Sequence, residues 1–243
     1  MACIGLRKLL SIENQPPIQA VIDANLVPIL MSLLHHHIPQ FQFEAAWCLT
    51  NIASGTTDHV TNLIEKDVLS HFIQLLSSPH IEVVEQVIWG IGNIAGDSPS
   101  TRDSVLRSGA LDRIADVLDK AEPGTSFMRN ASWALSNLCR GRPQPQYQLV
   151  RRAIPTLIKV LVENDKEDII TDICWALSYL SDGAKERIND LLNQGLLVKM
   201  IQLLKHENLA IAIPCLRTIG NIVTGDDDQT QMAVNSGLVD ALN

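Results

Sequence analysis

Trp89-Gly-Ile-Gly-Asn-Ile-Ala-Gly-Asp97 decides the fold, because the chain writes variants of its first five residues five times. The copies are Trp47-Cys-Leu-Thr-Asn51, Trp89-Gly-Ile-Gly-Asn93, Trp133-Ala-Leu-Ser-Asn137, Trp175-Ala-Leu-Ser-Tyr179 and Arg217-Thr-Ile-Gly-Asn221, at steps of 42, 44, 42 and 42 residues. All four tryptophans occupy this one position. A fixed period of this size marks a helical solenoid, in which each unit buries a face on its neighbours.

A second apolar segment keeps the same period: Leu26–Leu34, Val68–Leu76, Ala110–Leu118, Ala153–Leu161 and Leu196–Leu204. Its apolar residues recur at three and four, as on a buried helix face. Gly109 and Gly195 precede two of these copies and Gly237 precedes the start of a further one at Leu238, each at a sharp corner. We number this segment helix 2 of a repeat and the Trp segment helix 3; a short helix 1, such as Ser100–Ser108, lies between them. Gly55, Gly96, Gly183 and Gly225 are expected to stop successive copies of helix 3. Three helices per repeat predict an all-α, right-handed armadillo-repeat superhelix rather than a HEAT array. The sequence reads as one array over 1–243: a partial repeat 1–34, then repeats at roughly 35–76, 77–118, 119–161, 162–204 and 205–243. Leu6–Ser11 reads as the end of a helix 3, and 237–243 as the start of a helix 2. Neither end reads as a polar cap, so a fragment of a longer solenoid is expected.

The net charge of −8 disfavours nucleic acid and favours basic partners. Apolar residues at 46% are enough for a continuous core. Five cysteines, an odd number without a C-x-x-C pair, fit a reducing compartment. No stretch reaches the apolar length of a membrane span, and the first residues lack a signal peptide's apolar run. A protein of the cytoplasm and nucleus, away from membranes, is expected.

Trp and the residue four later share a helix face. Asn is a poor helix-interior residue and costly to bury unpaired. Helix 3 has its own apolar face, with Leu49, Ile52 and Ala53 in one repeat and Leu135, Leu138 and Cys139 in another. The Trp–Asn edge is therefore expected on the inner surface. Indoles at successive repeats leave slots that suit Lys or Arg, whose stems pack on the rings and whose charge gains about 0.5–2 kcal/mol of cation–π energy. The Asn amides can both donate to and accept from an extended peptide backbone. Asp97, Glu85, Asp172 and Asp182 stand beside the ladder.

These segments, in this order, closely resemble armadillo repeats two to six of importin α, including Tyr179 in place of Asn and Arg217 in place of Trp. The resemblance covers essentially the whole chain. It implies a nuclear-import adaptor that reads Lys/Arg-rich nuclear localisation signals. It implies a major site of Trp47, Asn51, Ser54, Gly55, Thr56, Glu85, Trp89, Asn93, Asp97, Asn130, Trp133, Asn137 and Asp172, with Asp97 receiving a key lysine. It implies a partial minor site of Trp175, Tyr179, Arg217, Asn221 and Asp227. Val60 stands where the family usually has Thr, one hydroxyl fewer. The basic arm through which the family engages importin β is absent from the sequence.

Other constellations point nowhere sharper. His35-His36-His37 lacks the convergent geometry of a metal site. Asn130-Ala-Ser132 matches a glycosylation acceptor by chance. No nucleophile–base set or phosphate loop appears, so neither an enzyme nor a cofactor is expected. The alternative is an armadillo scaffold of the catenin kind without import activity. Charge separates the two, since acids along the groove suit basic cargo.

Overall fold

The computed structural model describes residues 2–242, and among them it has eighteen helices and no strand. They form two compact units, one up to Val117 and the other from Leu118. The reading of 237–243 as a starting helix 2 ends on Asn243, outside the described residues.

In the first unit α1 (Ala2–Leu10) is a helix 3 standing alone. It is followed by α2 (Ile18–Asp23), α3 (Val27–Leu33) and α4 (Pro39–Ala53), then by α5 (Thr57–Glu65), α6 (Val68–Leu75) and α7 (Ile81–Asp97). Next come α8 (Pro99–Arg107) and α9 (Ala110–Leu118), at whose end the second unit begins. The helices 3 stack in order, α1 on α4 and α4 on α7, and α4 and α7 are each backed by their own helix 2, α3 and α6. Their interiors follow the predicted apolar face: Leu49, Ile52, Val87, Ile88, Ile91 and Ile94 have no exposed surface. Full burial of a side chain of this size stabilises the fold by about 1.5–3 kcal/mol.

The second unit repeats the plan. It contains α10 (Ser126–Cys139), α11 (Tyr147–Val150), α12 (Ala153–Glu163), α13 (Glu167–Leu180), α14 (Lys185–Asn193), α15 (Leu196–Leu203), α16 (Leu209–Val223), α17 (Asp227–Asn235) and α18 (Leu238–Leu242). Here α10 packs on α13 and α13 on α16.

Local chemistry sets the corners. The corner into helix 2 is left-handed at Asn25, two residues before α3, and at Asp67, Gly109, Gly195 and Gly237, directly before their helices, with φ of 53°, 61°, 78°, 74° and 89°. Asn and Asp are among the few other residues that tolerate this region, which explains how two repeats dispense with glycine. The fourth repeat turns differently, with Arg152 at φ −60°. Helix starts carry oxygen caps: Ser98 accepts from the Thr101 N–H, Thr125 from Met128 and Asp226 from Gln229. One expected stop is corrected. Gly96 does not end its helix, because α7 runs on through it to Asp97. The chain turns instead at Ser98, whose extended backbone and capping hydroxyl open α8 with Pro99 in its first turn.

Candidate peptide-binding surfaces

In the first unit, α4 and α7 carry Trp47, Asn51, Trp89, Asn93 and Asp97, and the corner after α4 carries Ser54, Gly55 and Thr56. Trp89 is 44% exposed, a large value for an indole, while the rest of α7 is mostly core. Trp47 is partly covered: the Arg7 guanidinium lies 4.5 Å from its ring centroid and Phe43 meets it edge to face.

The asparagines are already partly engaged. Asn93 donates through Nδ2 to the Thr50 carbonyl of the preceding helix 3 at 3.1 Å. Asn51 donates to the Ser11 hydroxyl at 3.0 Å. Each is thus a staple to the repeat before it, and its Oδ1 and second N–H are what remain for a ligand. The polar position one turn past Trp serves packing as well as any guest, an economy the sequence did not announce.

Asp97 closes α7. Its Oδ1 accepts from the Thr57 hydroxyl at 2.9 Å, which joins the end of α7 to the start of α5. Its Oδ2 is buried and has no hydrogen-bond partner. Buried carboxylate oxygens are normally satisfied, and an anion at a helix C-terminus also meets the negative end of the helix dipole. The arrangement calls for a cation. Val60 is fully buried in α5, so the hydroxyl at this corner comes from Thr57 instead. Thr56 caps α5 with its oxygen, and its N–H donates to His59 Nδ1 at 3.1 Å.

Two further groups escaped the sequence reading. Gln86, three residues before Trp89, is 5% exposed with an unpartnered Nε2; its i−3 spacing was the available signal. Arg7 lies outside the repeated motif and gave none. Glu85 is partly exposed and has interactions of its own.

In the second unit, α10 carries Asn130, Trp133 and Asn137, α13 carries Asp172, Trp175 and Tyr179, and α16 carries Arg217 and Asn221. Asn137 is only 4% exposed, which departs from an Asn edge open to the inner surface: here the amide lies inside the packing, where it has partners. Asn130 is likewise partnered. Asn221 repeats the staple, donating to the Ser178 carbonyl at 3.2 Å and the Ser181 hydroxyl at 2.9 Å. Trp175 and Tyr179 stack at 5.8 Å, and the Arg217 guanidinium lies 5.1 Å from the Tyr179 ring. Asp182 Oδ2 accepts from Arg142 at 3.0 Å and from Arg217 at 3.3 Å. Around it lies a cleft of about 190 Å3 lined by Cys139, Gln144 and Tyr179 as well as both arginines. Burial, and then the neighbouring Asp168, push the Asp172 carboxyl up to about 6. Asp227 is exposed in the first turn of α17.

Among the described residues no three His, Cys, Asp or Glu side chains group as a metal site, and no helix is long and apolar enough to cross a membrane. His35 instead shares a hydrogen bond with His71 at 2.6 Å.

The armadillo/beta-catenin-like repeat family matches residues 14–54 and 143–182, spans that coincide with α2–α4 and α11–α13; a HEAT-like repeat matches 39–94. Importin subunit alpha-1b of Oryza sativa subsp. japonica is 48% identical over 235 residues, 96% of this chain and 44% of that protein. Importin subunit alpha-B of Dictyostelium discoideum is 51% identical over 224 residues, 91% of this chain and 43% of that protein. The chain thus spans less than half the length of these relatives. A designed armadillo repeat protein in complex with the peptide (KR)4 superposes with a TM-score of 0.81 at 27% identity, covering 90% of this chain and 91% of the designed one. With armadillo repeats matched inside it and importin α subunits aligned over nearly all of it, the chain belongs to the importin α family of armadillo-repeat proteins.

Proposed function

We propose that the chain reads Lys/Arg-rich nuclear localisation signals as part of a nuclear-import adaptor working between cytoplasm and nucleus. One observation carries the reading: the buried, unpartnered Oδ2 of Asp97 at the end of the helix that holds the exposed Trp89. A lysine stem laid on Trp89 would bring its ammonium toward this oxygen, and Asn93 would hold the peptide backbone. The importin α names of the relatives and the (KR)4 peptide on the designed neighbour support the same chemistry. The net charge of −8 supplies long-range attraction for such a peptide. The remaining proposed contacts are Trp47, Asn51, Ser54, Gly55, Thr56, Glu85, Asn130, Trp133, Asn137 and Asp172, with Trp175, Tyr179, Arg217, Asn221 and Asp227 as a second, partial surface.

The test is fluorescence-anisotropy titration of a labelled Lys-Lys-Lys-Arg-Lys peptide, with a charge-matched scrambled linker peptide as control and salt varied. Saturable binding that weakens steadily with salt is expected. Equal binding of peptides whose basic residues are replaced by Ala would overturn the reading.

A further inference from the structure

Among the described residues of the first unit, the Trp47 ring of the ladder holds a cation, and that cation is the protein's own. Arg7, from α1, lies over the Trp47 ring at 4.5 Å from its centroid. Its Nε donates to Glu44 Oε2 at 2.9 Å, and Gln40 Nε2 donates to the other carboxylate oxygen at 2.9 Å. Glu44 is 5% exposed and Arg7 20%. An aromatic face, an acid and an amide are the three elements that the ladder would offer to a basic side chain from outside. Here they are assembled and filled from within.

We propose that Arg7 closes the cation ladder at Trp47 and so fixes where a bound row of basic side chains ends. This rests on the peptide-binding reading above. α1 packs on α4 on the side away from α7 in the stacking order, because α4 packs in turn on α7. A peptide side chain can therefore use the Trp47–Trp89 side of the ladder, and the α1 side is occupied. Glu44 keeps Arg7 in place, since a buried carboxylate left without its partner is costly. Arg7 is a specificity-determining residue in this scheme: it makes a further Lys or Arg beyond Trp47 worthless to the cargo.

The experiment compares the gain in affinity from one added basic residue, at either end of the peptide, in three proteins. The parent is expected to gain less than about twofold. Arg7→Met, which leaves Glu44 facing an empty slot, is expected to gain about tenfold at one end only, and Arg7→Met/Glu44→Gln about threefold, from the ring alone. If both variants show the parent's increment, the proposal falls. Should Arg7→Met fail to fold, the double variant, which buries no lone charge, decides. A second readout needs no peptide. Millimolar guanidinium chloride, against the same sodium chloride, is expected to raise the Tm of Arg7→Met and not that of the parent or the double variant; no specific rise would overturn the slot. Absence of all peptide binding alongside a guanidinium-specific rise would instead reject the peptide reading and keep the slot.

Discussion

Asp97 and Asp182 occupy nearly the same place in their repeats, at the end of a helix 3 and one turn past the ladder position. Their surroundings differ in one respect. Asp182 Oδ2 holds two guanidinium groups of its own unit, from Arg142 and Arg217, whereas Asp97 has only the Thr57 hydroxyl and keeps one buried oxygen bare. Both sit where the helix dipole disfavours an anion, so both need a cation. One unit provides it and the other leaves the need unmet. On the proposed peptide-binding reading, what would make a receptor of a carboxylate here is vacancy rather than position. On that reading Arg7 and Trp47 make the same point with an aromatic ring: the side of the ring that the chain fills is closed to a guest.

The largest effect is expected from reversing the vacant charge. Asp97→Lys should weaken binding of a Lys-rich peptide by about a hundredfold or more, because a cation is then set against a cation; circular dichroism should be unchanged. Parent-like affinity would erase the contrast between the two acids. A smaller gain is expected from emptying the filled one. In an Asp97→Lys background, Arg142→Ala with Arg217→Ala should raise the residual affinity by about threefold, the scale of a partly exposed ion pair, as read by calorimetric titration. If freeing Asp182 changes nothing, occupancy is not what separates the units.

The smallest effect concerns pH. Burial and Asp168 hold the Asp172 carboxyl up to about 6, while Asp168 itself pairs with Arg129 at 2.6 Å. A carboxyl raised above its unfolded value contributes stability at acid pH that is lost as pH rises through about 6. A bound cation has the opposite preference, for the ionised form. Lowering the pH from about 7.5 to about 5.5 should therefore weaken peptide binding about two- to threefold while the Asp172 contribution to stability grows. Asp172→Asn should flatten both profiles. A pH step that persists in that variant would place its cause elsewhere.

Much of the fold was legible because a solenoid repeats its instructions. The 42-residue step, the apolar faces and the glycine corners were each written several times, and repetition separates signal from chance. Where an instruction was written once, the reading slipped. Gly96 looked like a helix stop, yet Ser98 and Pro99 set the boundary one residue beyond Asp97. The corner role of Asn25 and Asp67 was hidden because only their φ reveals it.

The sequence by itself determined the repeat, the three-helix unit, the family and the residue types on the ladder, since periodicity and identity depend only on order along the chain. Tertiary structure alone decided which of those residues are available. That Arg7 lies on Trp47, that Asn93 and Asn221 are committed to the preceding helix, and that Asp97 has the Thr57 hydroxyl where Asp182 has two guanidinium groups are contacts between residues about 35 to 43 positions apart. Such contacts depend on how neighbouring helices pack, on rotamers and on burial, and no local pattern encodes them.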